Sequence, residues 1–439
     1  MTQEQLKEEI FQKIREYYKI AFPKKPFSPG KDFIPASNAV LNEKEMVALT
    51  GVALDLWLTE GKFAKKFEQR FSEFLKVPYP TILVNSGSSA NLVAFSALFS
   101  PQLGDKKMKQ GDEVITTAAA FPTTVNPIIQ NGCIPVFLDI DLETLNIDSS
   151  KIEGAITEKT KAIFLTHTLG NPFDLETVMR IAKKYDLFVI EDGCDALGSK
   201  YRGEYTGSFG DISTFSFYPA HHITMGEGGA LVIKNPELVK IARSLRDWGR
   251  HCWCGSGEDN SCAKRFNWQL GELPYGYDHK YTFSHLGYNL KITDMQAAIG
   301  LSQMDKLANF IEKRKENFNY LYERMKEFEN YFIIPKATKN SSPVWFGFSL
   351  TIKDDKLNRT ELLKYLNSKG IGTRLLFGGN IAKQPYFIDY KIKYRQASVL
   401  ENTNKIMNDT FWLGLYPGLD ECHFNYMYNV FKEFLSRVK

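Results

Sequence analysis

The sequence lacks long hydrophobic runs and any strong excess of charge of one sign. No apolar segment approaches the roughly 20 residues that a membrane-spanning helix requires, so no such helix is predicted. A net charge of +4 over 439 residues is too small and too dispersed to favour nucleic acid or an anionic membrane as a partner. Internal repeats and low-complexity segments are absent as well, so neither a repeat array nor a disordered chain is expected.

Secretion signals and a disulfide framework are also missing from the sequence. The first residues contain no apolar core of the signal-peptide type, and Glu4, Glu8 and Glu9 are atypical of a transit peptide. The six cysteines are unevenly spaced in a long chain, which is not the pattern of a disulfide-stapled domain. We therefore expect a cytoplasmic protein whose thiols stay reduced.

The chain has the composition and the periodicity of a globular α/β protein. Hydrophobic residues make up 43% and charged residues 24% of the sequence, and the length exceeds that of one ordinary domain. Short apolar runs bounded by Gly, Pro and Asp alternate with helical patterns, which predicts a mainly parallel sheet covered on both faces. The predicted strands of this sheet are residues 81–84, 113–115, 135–140, 162–166, 187–190, 212–217 and 230–233.

Three segments are expected along the chain. Residues 1–37 begin with apolar residues at helical spacing and continue into three prolines, so they form a helical arm. Residues 38–305 carry the alternating strands and helices of a large domain. A long helical pattern over residues 292–328 leads into a smaller C-terminal α/β domain at residues 306–439, with its own strands at 345–352 and 372–377.

A serine-rich turn follows the first predicted strand and precedes a helix. Residues 85–89 read Asn-Ser-Gly-Ser-Ser. Small hydroxyl residues and a glycine at a helix start can bind a phosphate through backbone N–H groups. Such turns also serve simply as helix caps.

The most informative segment, residues 215–229, reads Phe-Ser-Phe-Tyr-Pro-Ala-His-His-Ile-Thr-Met-Gly-Glu-Gly-Gly. It resembles the segment Ser-Phe-His-Pro-x-Lys-x-x-x-x-Gly-Glu-Gly-Gly of the DegT/DnrJ/EryC1/StrS sugar aminotransferases, in which the lysine binds pyridoxal phosphate (PLP) covalently. In this register His221, and not His222, replaces the lysine. An imidazole can move protons near neutral pH but has no primary amine for an internal aldimine. Transamination with a covalently held cofactor is therefore not expected.

The resemblance covers nearly the whole chain from about residue 38 and implies further site residues. It implies the PLP-dependent transferase fold type I, with a mainly parallel seven-stranded sheet in the large cofactor-binding domain, and a homodimer with active sites at the interface. The implied cofactor-binding residues are Gly87, Ser88 and Ser216 at the phosphate, Phe121 stacked on the pyridine ring, Asp192 at the pyridine nitrogen, and Asn289 at the phosphate of the neighbouring subunit's cofactor. We also expect His167, Asn171 and Arg374 in the substrate cleft, with a structural role as the alternative for each.

Four of the cysteines have a distinctive spacing. Cys194, Cys252, Cys254 and Cys262 are separated by 57, one and seven residues. Four thiolates suit a 2Fe-2S cluster or a zinc ion, and unrelated buried thiols are the alternative. Together with His221, the spacing matches one branch of the family, iron-sulfur 3-dehydrases that use pyridoxamine phosphate (PMP). The resemblance thus implies a 2Fe-2S cluster on these four residues and a cluster loop at residues 250–265.

The resemblance implies a lyase or oxidoreductase reaction on a nucleotide sugar. PMP and His221 would remove the C3 hydroxyl of a 4-keto-6-deoxyhexose, most simply a CDP-linked one. A flavin iron-sulfur reductase would then supply electrons through the cluster, for 3,6-dideoxyhexose and O-antigen synthesis in lipopolysaccharide. Three alternatives stay open: a cluster-free 3-dehydratase of GDP-4-keto-6-deoxymannose, a TDP-sugar 3-dehydrase, and a metal-binding or redox-sensing non-enzyme on this fold.

Overall fold

The structure is a computed structural model, and it describes residues 1–78, 81–261, 263–354 and 356–437. Its α-helices are α1 (Gln3–Ala21), α2 (Glu43–Asp55), α3 (Lys62–Leu75), α4 (Gly87–Ala97), α5 (Pro122–Gln130), α6 (Leu175–Tyr185), α7 (Pro236–Arg246), α8 (Asp294–Met304), α9 (Leu307–Met325), α10 (Arg359–Ser368), α11 (Pro385–Asp389), α12 (Glu401–Asp409) and α13 (Glu421–Leu435). None of the described helices combines the length and the apolar composition needed to cross a membrane.

The β-strands are short and spread along the chain. They are β1 (Ile82–Val84), β2 (Glu113–Thr117), β3 (Ile134–Leu138), β4 (Thr160–Thr166), β5 (Phe188–Asp192), β6 (Lys200–Tyr201), β7 (Glu204–Tyr205), β8 (Ile212–Ser216), β9 (Gly229–Ile233), β10 (Phe332–Ile333), β11 (Ser341–Ser342), β12 (Gly347–Ile352), β13 (Thr373–Arg374), β14 (Arg395–Gln396) and β15 (Thr410–Gly414). Strands β11, β6 and β7 form a small antiparallel sheet of their own.

Helix α1 confirms the helix expected at the start of the chain. Thr2 and Gln5 form a reciprocal capping box at its first turn, which satisfies backbone N–H groups that have no partner inside the helix. The fully described helix contains no buried residue, and it contacts the rest of the chain through α2, where Lys7 pairs with Asp55 at 2.7 Å. The helix therefore lies on the surface as an arm.

The large sheet confirms the predicted mainly parallel architecture. Its strand order is β1-β9-β8-β5-β4-β2-β3-β14, and only β9 runs antiparallel to its neighbours. Apolar side chains on one face pack against α4 and α7, and those on the other face pack against α6, because alternate residues of a strand point to opposite faces. The seven predicted runs are all strands here. The eighth strand, β14, comes from the C-terminal part of the chain and is too short to leave a sequence pattern.

The carboxyl ends of β4, β5 and β8 meet at one edge of this sheet. Thr166, the last residue of β4, pairs in register with Asp192, the last residue of β5, and Asp192 pairs with Thr214 of β8. Strand β8 continues to Ser216. Ligands of open α/β sheets bind outside the carboxyl ends of the strands, so this edge positions the site.

The helical pattern over residues 292–328 forms two helices rather than one. Helix α8 ends at Met304 and α9 begins at Leu307. The apolar face of α8 packs against α2 and α3, whereas α9 packs against α13. Between them Lys306 binds Glu45 of α2 at 2.7 Å. The chain bends because its two halves pack on different partners.

The C-terminal part contains a second, antiparallel sheet of order β10-β12-β15-β13. Its core is formed with α9, α10 and α13. The strand predicted at residues 372–377 stops at Arg374, because Leu376 packs in another apolar cluster beside the large sheet and Phe377 takes the left-handed conformation with φ 46°. Residues 381–400 then return to the large sheet.

Candidate active site

A cavity of about 640 Å³ lies at the edge where β4, β5 and β8 end. Its walls come from the turn before α4, the ends of these strands, the loop after β8 and residues of the C-terminal part that lie just before β12, in and after β13, and in β15. Among its lining residues are Gly87, Ser88, Phe121, Asp192, Cys194, Asp195, Ser216, His221, Phe346 and Arg374. The fold thus brings five of the six expected cofactor-binding residues to one place, together with His221 and Cys194.

The turn between β1 and α4 fits a phosphate group. Ser86 caps α4, and its Oγ accepts a hydrogen bond from the N–H of Ser89 at 3.1 Å. A Cβ added at Gly87 would lie 2.5 Å from the Cβ of Ser216, so only glycine allows the turn to approach β8 this closely. The first turn of α4 lines the cavity, and Ser88 and Ser216 add hydroxyl-bearing side chains to the same wall. An anion is stabilised in such a setting.

The side chain of Asp192 is held in a fixed orientation at the end of β5. The residue is 3% exposed. Its Oδ2 accepts hydrogen bonds from Asn91 at 2.9 Å and Thr124 at 2.7 Å, and its Oδ1 accepts the N–H of Cys194 at 3.2 Å. Thr214 in turn donates to the amide oxygen of Asn91 at 2.6 Å, which fixes the amide orientation. A carboxylate fixed in this way fits the protonated ring nitrogen of a pyridine cofactor.

Phe121 presents an uncovered aromatic face at the cavity wall. It precedes α5 and is 49% exposed, and its ring centroid lies 6.5 Å from that of Phe377. A flat ligand ring placed against it would cover apolar surface and stack favourably. The expected stacking of Phe121 on a pyridine ring stays a prediction. The cradle at Gly87, the fixed carboxylate and this ring together fit PMP or PLP.

His221 lies in the loop after β8, where its N–H donates to the carbonyl of Tyr218 at 3.0 Å. Burial lowers the pKa of His221 to about 3, so the ring carries no charge near neutral pH. Its Nδ1 lies 3.5 Å from Oδ1 of Asp195. The adjacent His222 is turned away, with Nε2 3.0 Å from the carbonyl oxygen of Val344. The fold therefore presents His221 to the cavity and uses His222 in packing.

Two buried charged residues accompany His221. Burial, and then the charge of Asp192, raise the pKa of Asp195 to about 7. Arg314, on α9, donates to the carbonyls of Trp345 at 3.3 Å and Phe346 at 3.2 Å, and burial lowers its pKa to about 10. The sequence analysis passed over Arg314, although a cation on the apolar face of a helix is a recognisable signal.

Most of the remaining cavity wall also has no signal in the sequence. Its residues come from the N-terminal segment, the start of α5, the end of β4 and the turn after it, the loop after β8 and the C-terminal part, and they lie far apart along the chain. They include Ser37, Thr123, Thr166, Leu169, Tyr218, Glu227, Phe346, Leu375, Phe377 and Trp412. Only the folded chain brings them together.

Two residues expected in the substrate cleft are not brought to the cavity. His167 is fully buried, with Nε2 2.9 Å from Glu191 and its Nδ1 accepting the N–H of Phe173 at 3.3 Å. Asn171 is also fully buried, and its amide binds three backbone groups of neighbouring loops. Both side chains are used in internal hydrogen bonds, which favours the structural role given above as the alternative. Arg374 does reach the cavity rim.

Asn289 lies outside the cavity of its own chain. It occupies the turn before α8, where its Oδ1 accepts a hydrogen bond from Lys291 at 3.3 Å and its backbone bridges to Asp247. Lys291 also lies over the ring of Trp248, 3.3 Å from the centroid. The expected role of Asn289 toward a second subunit therefore stays a prediction.

The candidate cluster ligands are divided between the cavity and a loop. Cys194 lines the cavity, and burial raises the pKa of its thiol well above the usual range. Cys252 and Cys254 lie after α7, and Cys262 lies outside the described residues. Within the ranges that the structure describes, no group of three or more His, Cys, Asp or Glu side chains is placed to hold a metal ion.

The cluster loop is anchored on the segment between α2 and α3. The ring of Trp57 lies between Gly61 and Gly257, since a Cβ added at either glycine would approach it to 2.5 or 2.7 Å. Lys65 pairs with Glu258 at 2.6 Å at the same place. The ring of Trp57 and this exposed ion pair therefore join the loop to the segment between α2 and α3 and to α3, and Arg265 joins it to Asp278 at 2.7 Å.

Comparison with known proteins gives concordant results. Residues 40–432 match the model of the DegT/DnrJ/EryC1/StrS aminotransferase family. The chain is 55% identical over 437 residues to the lipopolysaccharide biosynthesis protein RfbH of Salmonella typhimurium, covering 99% of both chains. It is 49% identical to dTDP-4-dehydro-2,6-dideoxy-D-glucose 3-dehydratase of Saccharopolyspora spinosa, covering 98% of this chain and 92% of that one.

A solved structure extends these similarities to the fold. The GDP-4-keto-6-deoxy-D-mannose-3-dehydratase of E. coli, with bound hydrated PLP, superposes with a TM-score of 0.81. It is 30% identical, and the match covers 91% of this chain and 99% of that one. The architecture described above is therefore the fold type I of PLP-dependent transferases.

Proposed function

The chain belongs to the DegT/DnrJ/EryC1/StrS aminotransferase family, and we propose that it is a PMP-dependent dehydrase that removes the C3 hydroxyl of a nucleotide-linked 4-keto-6-deoxyhexose. The observation that carries this proposal is His221, which lines the cavity at the place of the covalent lysine. The phosphate turn at Gly87 and the carboxylate of Asp192 are kept. The site thus retains what binds the cofactor and lacks what would anchor it covalently.

Different side chains of the cavity bind different parts of PMP. Bound PMP supplies a primary amine and an electron-withdrawing pyridinium ring. The turn at Gly87, with Ser88 and Ser216, binds the phosphate, while Asp192 holds the proton on the ring nitrogen. Phe121 covers one face of the ring and excludes water from it. These contacts orient the cofactor without a covalent bond.

His221 is the proposed base. Its ring is neutral, and Nδ1 points to Asp195, which leaves Nε2 as the nitrogen free to face the cavity. Nε2 accepts a proton from the C4′ carbon of the cofactor and can return one to the departing hydroxyl. A lysine bound to the cofactor would instead favour transamination. The His221 ring therefore selects dehydration.

A CDP-linked sugar is the proposed substrate, in the synthesis of 3,6-dideoxyhexoses for lipopolysaccharide. The similarity to the Salmonella lipopolysaccharide biosynthesis protein over its whole length supports the role in lipopolysaccharide synthesis, and the choice of CDP rests on the family resemblance described above. The relative from S. spinosa acts on a dTDP sugar and is 49% identical, so a TDP-linked substrate is the second candidate. Assay of CDP-, dTDP- and GDP-linked 4-keto-6-deoxyhexoses decides between them by kcat/KM, and a preference for the GDP sugar would overturn the assignment.

We also propose that Cys194, Cys252, Cys254 and Cys262 bind a 2Fe-2S cluster that accepts electrons from a flavin iron-sulfur reductase. The spacing of the four cysteines supports the cluster, and a reducing, cytoplasmic location follows from thiolate ligation. Iron and sulfide analysis with the absorption spectrum of anaerobically purified protein tests it. A colourless protein with one zinc, or with no metal, would exclude the cluster.

A homodimer completes the proposal. Asn289 lies outside the cavity of its own chain, which agrees with a contact to the cofactor phosphate of a second subunit. A metal-binding non-enzyme on this fold would have no need for Gly87, Ser216 and Asp192 in one cavity. Sedimentation equilibrium measures the subunit number, and an Asn289→Ala variant of an intact dimer should bind PMP more weakly.

Borohydride reduction tests whether the cofactor is bound to a lysine as a Schiff base. We expect protein reconstituted with PLP and treated with borohydride to show no pyridoxyl adduct by mass spectrometry, because an imidazole forms no stable Schiff base. A stoichiometric adduct on any lysine would contradict a non-covalent cofactor.

A further inference from the structure

Helix α1 leaves one apolar face uncovered. The helix contains no buried residue. Its side toward α2 includes Phe11, whose Cζ would lie 3.6 Å from a Cβ added at Gly51. A different side carries Leu6, Tyr17 and Ile20, which are 45%, 57% and 81% exposed. Apolar residues that are exposed as a contiguous surface, rather than singly, mark an interaction site.

The uncovered face has the spacing of a seam between two helices. A groove of about 450 Å³ runs along it and is lined by Leu6, Glu9, Ile10, Lys13, Ile14 and Tyr17. We call the residues at alternating steps of four and three along this face the α1 stripe: Leu6, Ile10, Lys13, Tyr17 and Ile20. Two helices pack side by side through such a repeat. The stripe extends for about 21 Å along the helix, so a second helix is the shape that covers it.

The charges of α1 indicate which helix this is. Residues 3–11 have a net charge of −2, and residues 12–21 have a net charge of +2. The charged residues are Glu4, Lys7, Glu8 and Glu9 in the first half and Lys13, Arg15, Glu16 and Lys19 in the second. An antiparallel copy of the same helix would place each acidic half beside a basic half. A parallel copy would place like charges together, which is unfavourable.

We propose that α1 pairs with α1 of a second copy of this chain, antiparallel about a two-fold axis at the level of Phe11 and Gln12. Such a contact is isologous, so each residue pair occurs twice. One helix face of this length is smaller than the roughly 800 Å² per partner of a standard interface. The helix pair therefore adds to the larger homodimer contact proposed above. The inference does not depend on the proposed reaction, because no cavity-lining residue belongs to α1.

The two-fold axis gives the pair a definite register. Leu6 lies against the partner's Tyr17, which places an aliphatic side chain on an aromatic ring. Ile10 lies against the aliphatic stem of the partner's Lys13, whose ammonium group extends to Glu9. A polar residue in an otherwise apolar seam fixes register and orientation. Lys13 thus favours the antiparallel arrangement over other alignments of the stripe.

Photo-cross-linking of the full-length protein tests the pairing. Tyr17 is replaced by p-benzoylphenylalanine, a change at an exposed side chain that the fold does not need. After irradiation, a denaturing gel separates two-chain products, and mass spectrometry of their peptides locates the cross-link. We expect attachment to residues 3–9 of the second copy, around Leu6. The control places the cross-linker at Glu8, which lies on the side of α1 opposite to the stripe and accepts hydrogen bonds from Gln12 and Arg15. It should give no product with α1 of another copy.

Three results of this experiment would overturn the proposal. Attachment near Tyr17 of the second copy would mean parallel helices, and attachment to any other segment would mean that a different surface covers the stripe. Absence of a two-chain product would mean that the stripe is uncovered in solution. Flotation of the protein with vesicles of phosphatidylcholine and phosphatidylserine would assign the stripe to a membrane and would also overturn it.

Charge exchange between copies tests the register. Glu9→Lys and Lys13→Glu copies with different affinity tags are co-expressed, each with the cross-linker at position 17. A pair of like copies places like charges in contact, whereas a mixed pair restores two opposite-charge contacts. The ratio of mixed to like two-chain products should rise about fivefold over that of tagged copies without the charge changes, since exposed pairs are individually weak. An unchanged ratio would show that the register is wrong.

Discussion

The cofactor cavity and the cluster loop are stabilised in different ways. The cavity carboxylate Asp192 is buried at a strand end and accepts hydrogen bonds from Asn91 and Thr124 at 2.9 and 2.7 Å. The cluster loop has no described strand, and its seat uses the ring of Trp57 and the ion pair between Lys65 and Glu258, whose side chains are 61% and 44% exposed. Hydrogen bonds to buried charges contribute about 1.5–3 kcal/mol each, whereas exposed pairs contribute little.

This difference places the groups proposed for cofactor binding and proton transfer in the part of the molecule that the sheet and buried hydrogen bonds hold in place. The cavity geometry follows from the sheet register and survives changes elsewhere. The loop can be altered with little effect on the fold, so whatever depends on its cysteines should be separable from what depends on His221. Four predictions test this separation, from the largest effect to the smallest.

His221→Asn removes the proposed base and should leave the structure of the cavity unchanged. We expect turnover to fall about 10²- to 10⁴-fold, because the proton acceptor is lost. The PMP dissociation constant should stay near that of the wild type, since phosphate and ring-nitrogen contacts remain. Fluorescence titration with PMP and a product assay measure the two quantities. His222→Asn, which changes a histidine outside the cavity, is the matched control and should keep most of the activity.

Cys254→Ser removes one proposed cluster ligand from the loop and should leave the cavity unchanged. We expect loss of bound iron and of the 3-deoxy product in the presence of reductase, because an incomplete coordination sphere does not retain a 2Fe-2S cluster. PMP affinity should not change. Cys422→Ser, which alters an exposed cysteine on α13, should retain iron and product formation. Full product from Cys254→Ser would show that reduction does not depend on a cluster at this loop.

Gly87→Ala tests the rigidity of the phosphate turn. The new Cβ would lie 2.5 Å from that of Ser216, and overpacking of this kind costs about 1–3 kcal/mol. If this destabilisation acts on the PMP-bound state rather than on the free protein, the PMP dissociation constant rises about tenfold or more. Gly154→Ala is the control, because a Cβ there meets no described atom within 4 Å. Equal PMP affinity of the two variants would mean that the turn does not hold the phosphate.

Lys65→Met should have the smallest effect. It removes the exposed pair with Glu258, and such pairs often contribute nothing measurable. We expect an unchanged Tm and unchanged PMP affinity by differential scanning fluorimetry with and without PMP. A loss of iron in this variant would show that the ion pair is needed to position the cluster loop, although the fold does not depend on it.

The sequence allowed the inner part of the site to be predicted because its residues adjoin strand ends. The family resemblance implied Gly87, Asp192 and Ser216, and the structure shows that Asp192 and Ser216 each end a parallel strand while Gly87 follows β1, so the sheet brings them together. His167 and Asn171 follow a strand as well, but their side chains point into internal hydrogen-bond networks. Position at a strand end does not reveal which way the chain turns next.

Residues from distant segments were beyond sequence reasoning. Phe346 and Trp412 enter the cavity from the C-terminal sheet, and Arg314 approaches from α9, with no shared local pattern. Strand β14 is only two residues long, and the break between α8 and α9 depends on which partners each helix packs against. Long-range packing decides all of these features.

The most direct test of the account is exchange of the C3 oxygen. The wild type, Cys254→Ser and His221→Asn are each incubated without reductase, with PMP and the CDP-linked 4-keto-6-deoxyhexose in ¹⁸O-labelled water. The recovered sugar is then analysed by mass spectrometry. The account predicts ¹⁸O at C3 with the wild type and Cys254→Ser, and none with His221→Asn. Label incorporated by His221→Asn at the wild-type rate, or by none of the three proteins, would contradict it.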